Sequence, residues 1–315
     1  MQLRSLQLQN LGRFRNLEID FAPTIKKPSK VTLLIGNNGS GKTSILRALA
    51  TNLSWLAARI RSEKASGSAF PEEVVANSSS SSLASIKVCD SLGVEFQWSI
   101  AKTQRGRKAQ FSSNYSGATQ LARQYREQLT EQPEASLPLI VFYPVERVVL
   151  DVPLKIRQKH NFYQLDGYDN ALNQGVDFRR FFEWFRERED IENEMGASFQ
   201  QLGKLEEIKQ QLADKPEALQ AILQILNTGK DKQLEAVRSA ISQFIPEFSN
   251  LRVQRKPRLH MAVDKNGETL NVLQLSQGEK SLMALVGDIA RRLAMMNPSL
   301  ENPLEGKGVV LIDEV

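Results

Sequence analysis

Cysteine, histidine and long apolar runs are scarce in this chain, and each scarcity excludes a class of protein. Cys89 is the only cysteine, so the chain cannot form an internal disulfide. Its alternating apolar surroundings predict a small core residue in a reducing compartment, the cytoplasm. The two histidines, His160 and His260, lie far apart beside basic residues, and neither indicates a metal site.

No stretch reaches the roughly 18 apolar residues of a membrane helix. The start, "MQLRSLQLQN", lacks the apolar centre of a signal peptide. We therefore predict no membrane contact. What the chain does have is length: its 315 residues, 41% of them hydrophobic, are enough for one large domain or two of ordinary size.

Neither sign of charge is in large excess, because 41 Lys and Arg face 36 Asp and Glu, which leaves a net charge of +5. The basic residues nevertheless form three clusters. They are "KTQRGRK" (102–108), "KIRQKH" (155–160) and "RVQRKPR" (252–258). Such a cluster can hold nucleic-acid phosphates or can be an ordinary solvated loop, and the sequence leaves both open.

Apolar periodicity in the first half of the chain predicts strands with one long helix. Alternation in 6–21 predicts a β-hairpin, and the apolar run "VTLLI" (31–35) predicts a buried strand. Further strands are predicted at 85–90, 94–102 and 137–143. Helical spacing follows the 31–35 run at Ile45, Leu49, Leu53, Leu56 and Ile60. The serine-rich stretch 77–85 is predicted to be a mobile loop.

From Phe178 onward the pattern becomes helical. One apolar stripe consists of Phe178, Phe181, Phe182 and Phe185. It predicts a packed aromatic face, with the charged run "RERED" on a solvated, salt-bridged back. Helical spacing continues at 216–227 and 232–245, strand-like pieces return at 251–273, and another helix and a final strand follow.

The segment "GNNGSGKT" matches the phosphate-loop pattern G-x-x-x-x-G-K-[ST] between a predicted strand and a predicted helix. Glycines let backbone N–H groups turn inward around phosphates, and the helix N-terminus adds a partial positive charge. Lys42 would neutralise the β- and γ-phosphates of ATP, and Thr43 would bind Mg²⁺. The predicted nucleotide-binding residues are Gly36, Asn37, Asn38, Gly39, Ser40, Gly41, Lys42 and Thr43.

The segment "VVLIDEV" (309–315) is an apolar strand that delivers two carboxylates to the edge of a sheet. In phosphate-loop ATPases such an aspartate holds Mg²⁺, here Asp313. The neighbouring glutamate can orient or deprotonate the attacking water, so Glu314 is the predicted catalytic base. Lys42 is the other predicted catalytic residue. Acidic turns often follow apolar strands, and only the phosphate loop elsewhere favours the catalytic interpretation.

The segment "LSQGE" (275–279) has two explanations. Ser276 and Glu279 have the spacing of a helix capping box. Gly278 is unusual for a mere cap, because glycine lowers helix propensity and allows a backbone or a phosphate to approach closely.

Taken together, these three motifs resemble the ABC-type ATPases. "LSxGE" and the hairpin "LQLQNLGRFRNLEIDF" are most similar to the RecF/SMC-like branch. The resemblance implies an α/β phosphate-loop core with a mixed sheet, flanking helices, an antiparallel β-subdomain and a helical insertion. It also implies a head-to-tail homodimer around ATP and Mg²⁺. In that family the signature touches the γ-phosphate held by the other protomer, which here assigns Ser276, Gln277, Gly278 and Glu279 to the nucleotide.

On this basis we expect three segments. An N-terminal ATPase lobe spans 1–145, a mainly helical insertion or lid spans 146–250, and a C-terminal lobe with the signature spans 251–315. The insertion is too short for the long coiled coil of SMC proteins, and Gly196, Pro216 and Gly229 interrupt its helices.

A narrower resemblance rests on four segments: "LPLIVFYPVERVVLD", "FFEWFREREDIENE", "LSQGEKSLMALVGDIARRLAMMNP" and "GVVLIDE". These segments look like bacterial predicted ATP-binding proteins, similar to the AAA-type ATPases of anti-phage systems such as Septu and to retron-linked ATPases. The resemblance implies a role in phage defence with a nuclease in a partner protein. The alternatives are a DNA-repair or chromosome-maintenance ATPase that binds DNA, and a regulatory module that binds ATP without turnover. A transporter ATPase ranks last, since those usually carry "LSGGQ".

Two departures from the family pattern matter. ABC ATPases usually carry a glutamine at a strand end between the phosphate loop and the signature. Here Gln97 lies within a strand pattern instead, and "VFYPVER" offers Tyr143, Glu146 and Arg147. The family also continues beyond the acidic strand with a contact loop and a histidine. We therefore expect a C-terminally truncated chain that hydrolyses ATP slowly or not at all by itself.

Overall fold

The computed structural model describes residues 1–24, 29–145, 162–173, 178–201 and 230–314. The chain forms two compact units. The first contains Met1–Arg147, Gly167–Gly175 and Gly306–Val315, and the second contains Val148–Asp166 and Val176–Glu305. The domain boundaries at 145/146 and 250/251 stay a prediction.

A four-stranded antiparallel sheet forms much of the first unit. Its strands, in the order β2-β1-β3-β4, are β1 (Gln2–Leu11), β2 (Phe14–Asp20), β3 (Ser81–Cys89) and β4 (Glu95–Thr103). In the register Leu8 pairs with Leu17 on one side and with Ala84 on the other. Alternate side chains along these strands face the core, as period-two patterning requires. The predicted hairpin and the predicted antiparallel pair are confirmed.

The described part of the first unit contains two α-helices. Helix α1 (Lys42–Arg61) buries all five apolar residues that predicted it. Helix α2 (Ser116–Glu131) was not predicted, because its buried positions, Gly117, Ala118, Leu121 and Ala122, are small or few. The two helices contact each other, and the rings of Trp55 and Tyr115 stack with centroids 3.8 Å apart.

A parallel pair of strands completes the first unit. Strands β5 (Leu139–Tyr143) and β9 (Gly308–Ile312) lie in register, with Val141 opposite Val310. The Asp313 N–H donates to the Tyr143 carbonyl at 2.8 Å, which extends the pairing by one step. Both predicted apolar strands are thus confirmed as strands, but only β5 is buried along its whole length, whereas β9 is buried at alternate positions.

The predicted buried strand at 31–35 is wrong. The segment has no strand conformation, and Val31, Leu33 and Ile35 are 75%, 72% and 87% exposed. A strand needs a neighbouring backbone for its hydrogen bonds, whereas here the Val31 N–H donates to Ser29 Oγ. The apolar run indicates strand propensity, but it could not show whether a neighbouring backbone would be present.

The predicted mobile loop at 77–85 is wrong for its second half. Ser81 and Ser82 are buried in β3, opposite Thr103 and Lys102. Ser81 Oγ accepts a hydrogen bond from the Gln110 N–H at 3.1 Å. A small hydroxyl side chain fits a buried strand when it finds a partner, as Ser81 does, so composition alone was misleading.

The second unit combines helices with a small antiparallel sheet. Its helices are α3 (Phe178–Gln201), α4 (Lys232–Phe244) and α5 (Gln277–Met296). Its sheet has the order β6-β7-β8, formed by Phe248–Gln254, His260–Lys265 and Glu268–Asn271. The predicted helix at 232–245 and the predicted helix after the signature are confirmed, whereas the one at 216–227 lies outside the described residues.

The aromatic stripe of α3 forms the core of this unit. Phe178, Phe181, Phe182 and Phe185 are buried against apolar residues of α4, α5 and the sheet, as predicted. The back of α3 differs from the prediction at Glu189, which is 4% exposed. Its carboxylate accepts from the Val253 N–H and pairs with Arg238 and Arg255, because a buried charge requires partners. The α/β fold class is confirmed, with its sheets, flanking helices and antiparallel β-subdomain.

Candidate functional site

The phosphate loop leads directly into the N-terminus of α1. Gly39 and Gly41 have φ values of +76° and +98°, which L-residues rarely adopt. The Ser40 N–H donates to the Asn37 carbonyl at 3.1 Å, which closes the turn. The first turn of α1 has no acidic residue. The positive end of the helix is therefore not offset by its own side chains.

Lys42 folds back across this loop. Its Nζ lies 2.7 Å from the Gly36 carbonyl oxygen and 3.1 Å from that of Asn37. Residues 36–39 are exposed, and Ser40, Lys42 and Thr43 are half-buried. The ammonium thus lies inside a solvent-accessible loop at a helix N-terminus, which is an environment suited to an anion.

The tip of the β1–β2 hairpin covers one side of the loop. The Arg13 guanidinium donates to the Gly39 carbonyl. The ring of Phe14 lies against Gly41, where an added Cβ would come within 2.5 Å of its Cζ atom. Sequence reasoning assigned no site role to Arg13, and its only signal was its place in the turn of a predicted hairpin.

Asp313 and Glu314 follow β9 in the same unit as the phosphate loop. Asp313 is 3% exposed, whereas Glu314 is exposed with a φ of +54°. Helix α1, which begins at Lys42, contacts both β5 and β9. The first unit therefore brings together the helix of one motif and the strand of the other.

The residues of this unit include donors that fit Mg²⁺. The ion prefers hard oxygen ligands. Thr43 supplies a hydroxyl in the first turn of α1, and Asp313 supplies a carboxylate beyond the end of β9. Mg²⁺ held by these oxygen atoms would neutralise part of the negative charge of bound phosphates.

The candidates for the missing glutamine position fall in different places. Gln97 lies within β4, and its amide donates to Ser85 Oγ at 3.1 Å. Tyr143 is buried at the end of β5. Glu146 and Arg147 lie outside the described residues.

The signature belongs to the second unit, where Ser276 caps α5. Ser276 Oγ accepts from the Glu279 N–H at 3.3 Å, and Glu279 Oε2 accepts from the Ser276 N–H at 2.9 Å. Both bonds of a capping box are therefore present. The hydrogen bond from Lys265, followed by those from Ser276, lowers the pKa of Glu279 to about 2. Leu275 is buried and anchors the segment.

Gly278 and Gln277 lie on the exposed side of this cap. A Cβ added to Gly278 would meet no atom within 4 Å among the described residues. Its φ is not in the left-handed range that favours glycine. Neither packing nor backbone conformation thus explains the glycine, whereas the close approach of a further molecule would.

The basic clusters differ in the exposure of their side chains and in their ion pairs with acidic residues. Arg105, Arg107 and Lys108 are exposed in the loop after β4. In the 252–258 cluster, Arg252 pairs with Asp264 at 2.9 Å, and Arg255 pairs with Glu189 and Asp190. The 155–160 cluster lies outside the described residues.

Comparison with known proteins places this chain in a family. Residues 5–249 match the model of the AAA domain. The chain belongs to the AAA domain family. It is 34% identical to the Retron Ec83 probable ATPase of Escherichia coli, over 100% of this chain and 63% of that protein. It is 32% identical to the Retron Vc95 probable ATPase of Vibrio cholerae serotype O1 biovar El Tor, over 100% of this chain and 64% of that protein. This AAA-domain chain therefore spans less than two thirds of the length of these two relatives.

Among solved structures, the chain is similar to the recombination mediator protein RecF with ATP, from the RecFOR pathway. The identity is 18%, the TM-score is 0.40, and the match covers 99% of this chain and 84% of that one. In the part of the chain that the structure describes, no helix combines the length and the apolar character needed to cross a membrane.

Proposed function

We propose that this AAA-domain chain binds and hydrolyses ATP with Mg²⁺ as an ABC-type ATPase of the RecF/SMC-like branch. Two copies would close around ATP and control a partner effector, a nuclease, in phage defence. The observation that carries the proposal is Lys42, whose ammonium lies within the Gly36–Thr43 loop at the start of α1.

ATP binding follows from the charges gathered in this loop. A helix N-terminus alone contributes about 0.3–1 kcal/mol, whereas micromolar affinity needs about 8 kcal/mol. The loop N–H groups and the Lys42 ammonium must therefore supply most of the attraction for the phosphates. Thr43 and Asp313 would hold Mg²⁺. Glu314 would accept a proton from the attacking water, and its exposed carboxylate is accessible for that role.

The proposed dimer is supported by the tip of the signature. A helix cap needs Ser276 and Glu279 but not Gly278, and the space beside Gly278 is open among the described residues. In the proposed assembly the phosphate of a nucleotide held by a second copy occupies that space. Ser276, Gln277 and the N–H groups of the first helical turn then contact the phosphate.

The assignment to phage defence is supported by the retron ATPases that the chain resembles. In this proposal the ATPase acts as a switch, and closure of the dimer determines whether the partner effector is active. Copurification of the natural complex and identification of its other components would test this part directly. A permease as the main partner would contradict it.

The decisive experiment for nucleotide binding compares Lys42→Ala with the parent chain. Titration with a fluorescent ATP analogue should show affinity weakened by at least about tenfold, or about 1.4 kcal/mol. Lys64→Ala removes the same charge from an exposed lysine of the same unit and should bind as the parent does. Equal affinity of all three chains would contradict the assignment. Phosphate release, measured in parallel, reports hydrolysis.

A second candidate function is binding of a nucleic-acid backbone at the loop after β4. The exposed Arg105, Arg107 and Lys108 favour it, because exposed cations can replace the counterions of a polyanion. This function is compatible with the first, as a repair or maintenance ATPase would combine both.

A further inference from the structure

Lys265, the last residue of β7, connects the small antiparallel sheet of the second unit to the signature. Its Nζ lies 2.5 Å from Glu279 Oε1 and 3.8 Å from Glu247 Oε2. The other Glu279 oxygen accepts the Ser276 N–H at 2.9 Å. One carboxylate thus joins the strand end to the residue that caps α5.

This connection affects how Ser276 can be used. Its Oγ accepts from the Glu279 N–H, and a hydroxyl has one donor and two acceptor positions. The hydroxyl hydrogen can therefore be donated to an arriving oxygen atom. A glutamate side chain has several rotatable bonds and loses entropy when it is fixed. The contact with Lys265 gives it a second anchor and so holds the cap in place.

Lys265 also changes the charge that an arriving phosphate meets. The hydrogen bond from Lys265, followed by those from Ser276, lowers the pKa of Glu279 to about 2, so this carboxylate is ionised at neutral pH. An anion that approaches Ser276 and Gly278 would be repelled by this charge. The Lys265 ammonium, in direct contact with the carboxylate, offsets it.

We propose that Lys265 is a positioning residue of the signature. It holds Glu279 in the capping box and neutralises its charge. The Ser276 hydroxyl can then donate a hydrogen bond to the phosphate of a nucleotide bound by a second copy of this chain. The inference rests on the proposed function, because that phosphate belongs to the proposed dimer.

The competing explanation is an ordinary ion pair that ties β7 to α5. Partly exposed pairs contribute little to stability, and this pair is partly exposed, with 24% and 25% of the two side chains accessible. An ordinary pair predicts a small loss of stability upon mutation and no effect on nucleotide-dependent association. Mutation of Lys265 should therefore change association if Lys265 is a positioning residue, and only stability if the contact is an ordinary ion pair.

The experiment uses the full chain with Lys265→Gln, Lys265→Arg and the double variant Lys265→Gln, Glu279→Gln. Lys232→Gln, at an exposed lysine of the same unit, is the matched control. Sedimentation with a slowly hydrolysed ATP analogue gives the dimer dissociation constant, and thermal unfolding and nucleotide titration of the monomer are measured beside it. Lys265→Gln should weaken the dimer at least about tenfold, while the monomer keeps its nucleotide affinity and its unfolding midpoint.

Lys265→Arg should recover most of the association. The double variant should recover it as well, because glutamine can complete a capping box without a charge. If the parent dimerises and Lys265→Gln matches Lys232→Gln, the inference is wrong and the proposed dimer stands. A double variant as weak as the single one would contradict the electrostatic explanation. A parent chain that stays monomeric with the analogue would overturn the proposed dimer and the inference with it.

Discussion

The ring of Phe14 lies directly against Gly41, so a methyl group added at Gly41 would come within 2.5 Å of the Phe14 Cζ atom. Gly41 also has a φ of +98°, and left-handed conformations cost an L-residue roughly 1–2 kcal/mol. Gly41→Ala should therefore distort the loop and weaken ATP binding at least about tenfold.

The same contact provides the control for that prediction. Gly41→Ala combined with Phe14→Ala removes the ring and should recover part of the affinity, leaving the backbone strain and a looser contact with Arg13 Cδ at 3.2 Å. Titration with a fluorescent ATP analogue measures both. Full affinity in the single variant would show that the hairpin tip does not shape the loop.

Ser276→Arg should distinguish the capping role of Ser276 from its proposed contact with a nucleotide held by a second copy. The bulky cation should block ATP-dependent association while the first unit binds ATP unchanged. Loss of a cap alone costs about 0.5–2 kcal/mol of stability, and Ser276→Asn, which preserves a cap, is the control for that part. Light scattering with and without the nucleotide distinguishes the two. Dimers that persist in Ser276→Arg would favour the cap as the only role.

The buried cluster on α5 should make the second unit sensitive to acid. Asp288 pairs with Arg291 and Arg292, each at 2.7 Å, and all three side chains are at most 1% exposed. Burial alone would raise the pKa of Asp288, but Arg292 and Arg291 together lower it to about 2. Its pKa in the folded state lies below the unfolded value of about 4, so its contribution is complete above pH 4 and is lost as pH falls towards 2.

Asp288→Asn should therefore cost about 3–5 kcal/mol of unfolding free energy at neutral pH. The difference from the parent should shrink below about pH 4. Asp190→Asn, which breaks the more exposed pair with Arg255, should cost about 1 kcal/mol or less. Denaturant unfolding at a series of pH values measures these differences. A penalty for Asp288→Asn that stays constant with pH would contradict the account.

If the loop after β4 binds nucleic acid, the salt dependence of the affinity should depend on the number of positive charges in the loop. Replacing Arg105, Arg107 and Lys108 with alanine should reduce the slope of log affinity for duplex DNA against log salt by about 2–3. Arg252→Ala, at an arginine paired with Asp264, should leave the slope unchanged. A parent chain with no salt-dependent affinity for DNA would remove this second function.

Local pattern was enough to predict those parts of the chain whose burial is periodic. The stripe from Ile45 to Ile60 and the phenylalanines of α3 are buried as their spacing indicates. The capping box of Ser276 and Glu279 also forms as its spacing indicates. In each case the interacting residues lie within a few turns of one helix, so the sequence alone contains the information.

Features that depend on a distant neighbour were missed or misread. The 31–35 segment has strand propensity but no pairing backbone among the described residues. In the sequence Glu189 has the pattern of a surface charge, whereas in the structure its carboxylate accepts hydrogen bonds from Arg238 and the Val253 N–H. Likewise, Arg13 is near the phosphate loop only because the hairpin folds over Gly39 and Gly41. Such contacts between residues far apart in sequence have no local period.

The most direct test of the central claim mixes two inactive chains. A Lys42→Ala chain keeps its signature, and a Ser276→Arg chain keeps its phosphate loop. In a head-to-tail dimer, their combination contains one intact composite site. Sedimentation with a slowly hydrolysed ATP analogue should show that neither variant dimerises alone and that the mixture does. As the control, Lys42→Ala mixed with the Lys42→Ala, Ser276→Arg double variant should stay monomeric. A mixture that remains monomeric, although the parent dimerises with the analogue, would contradict a site shared between two copies.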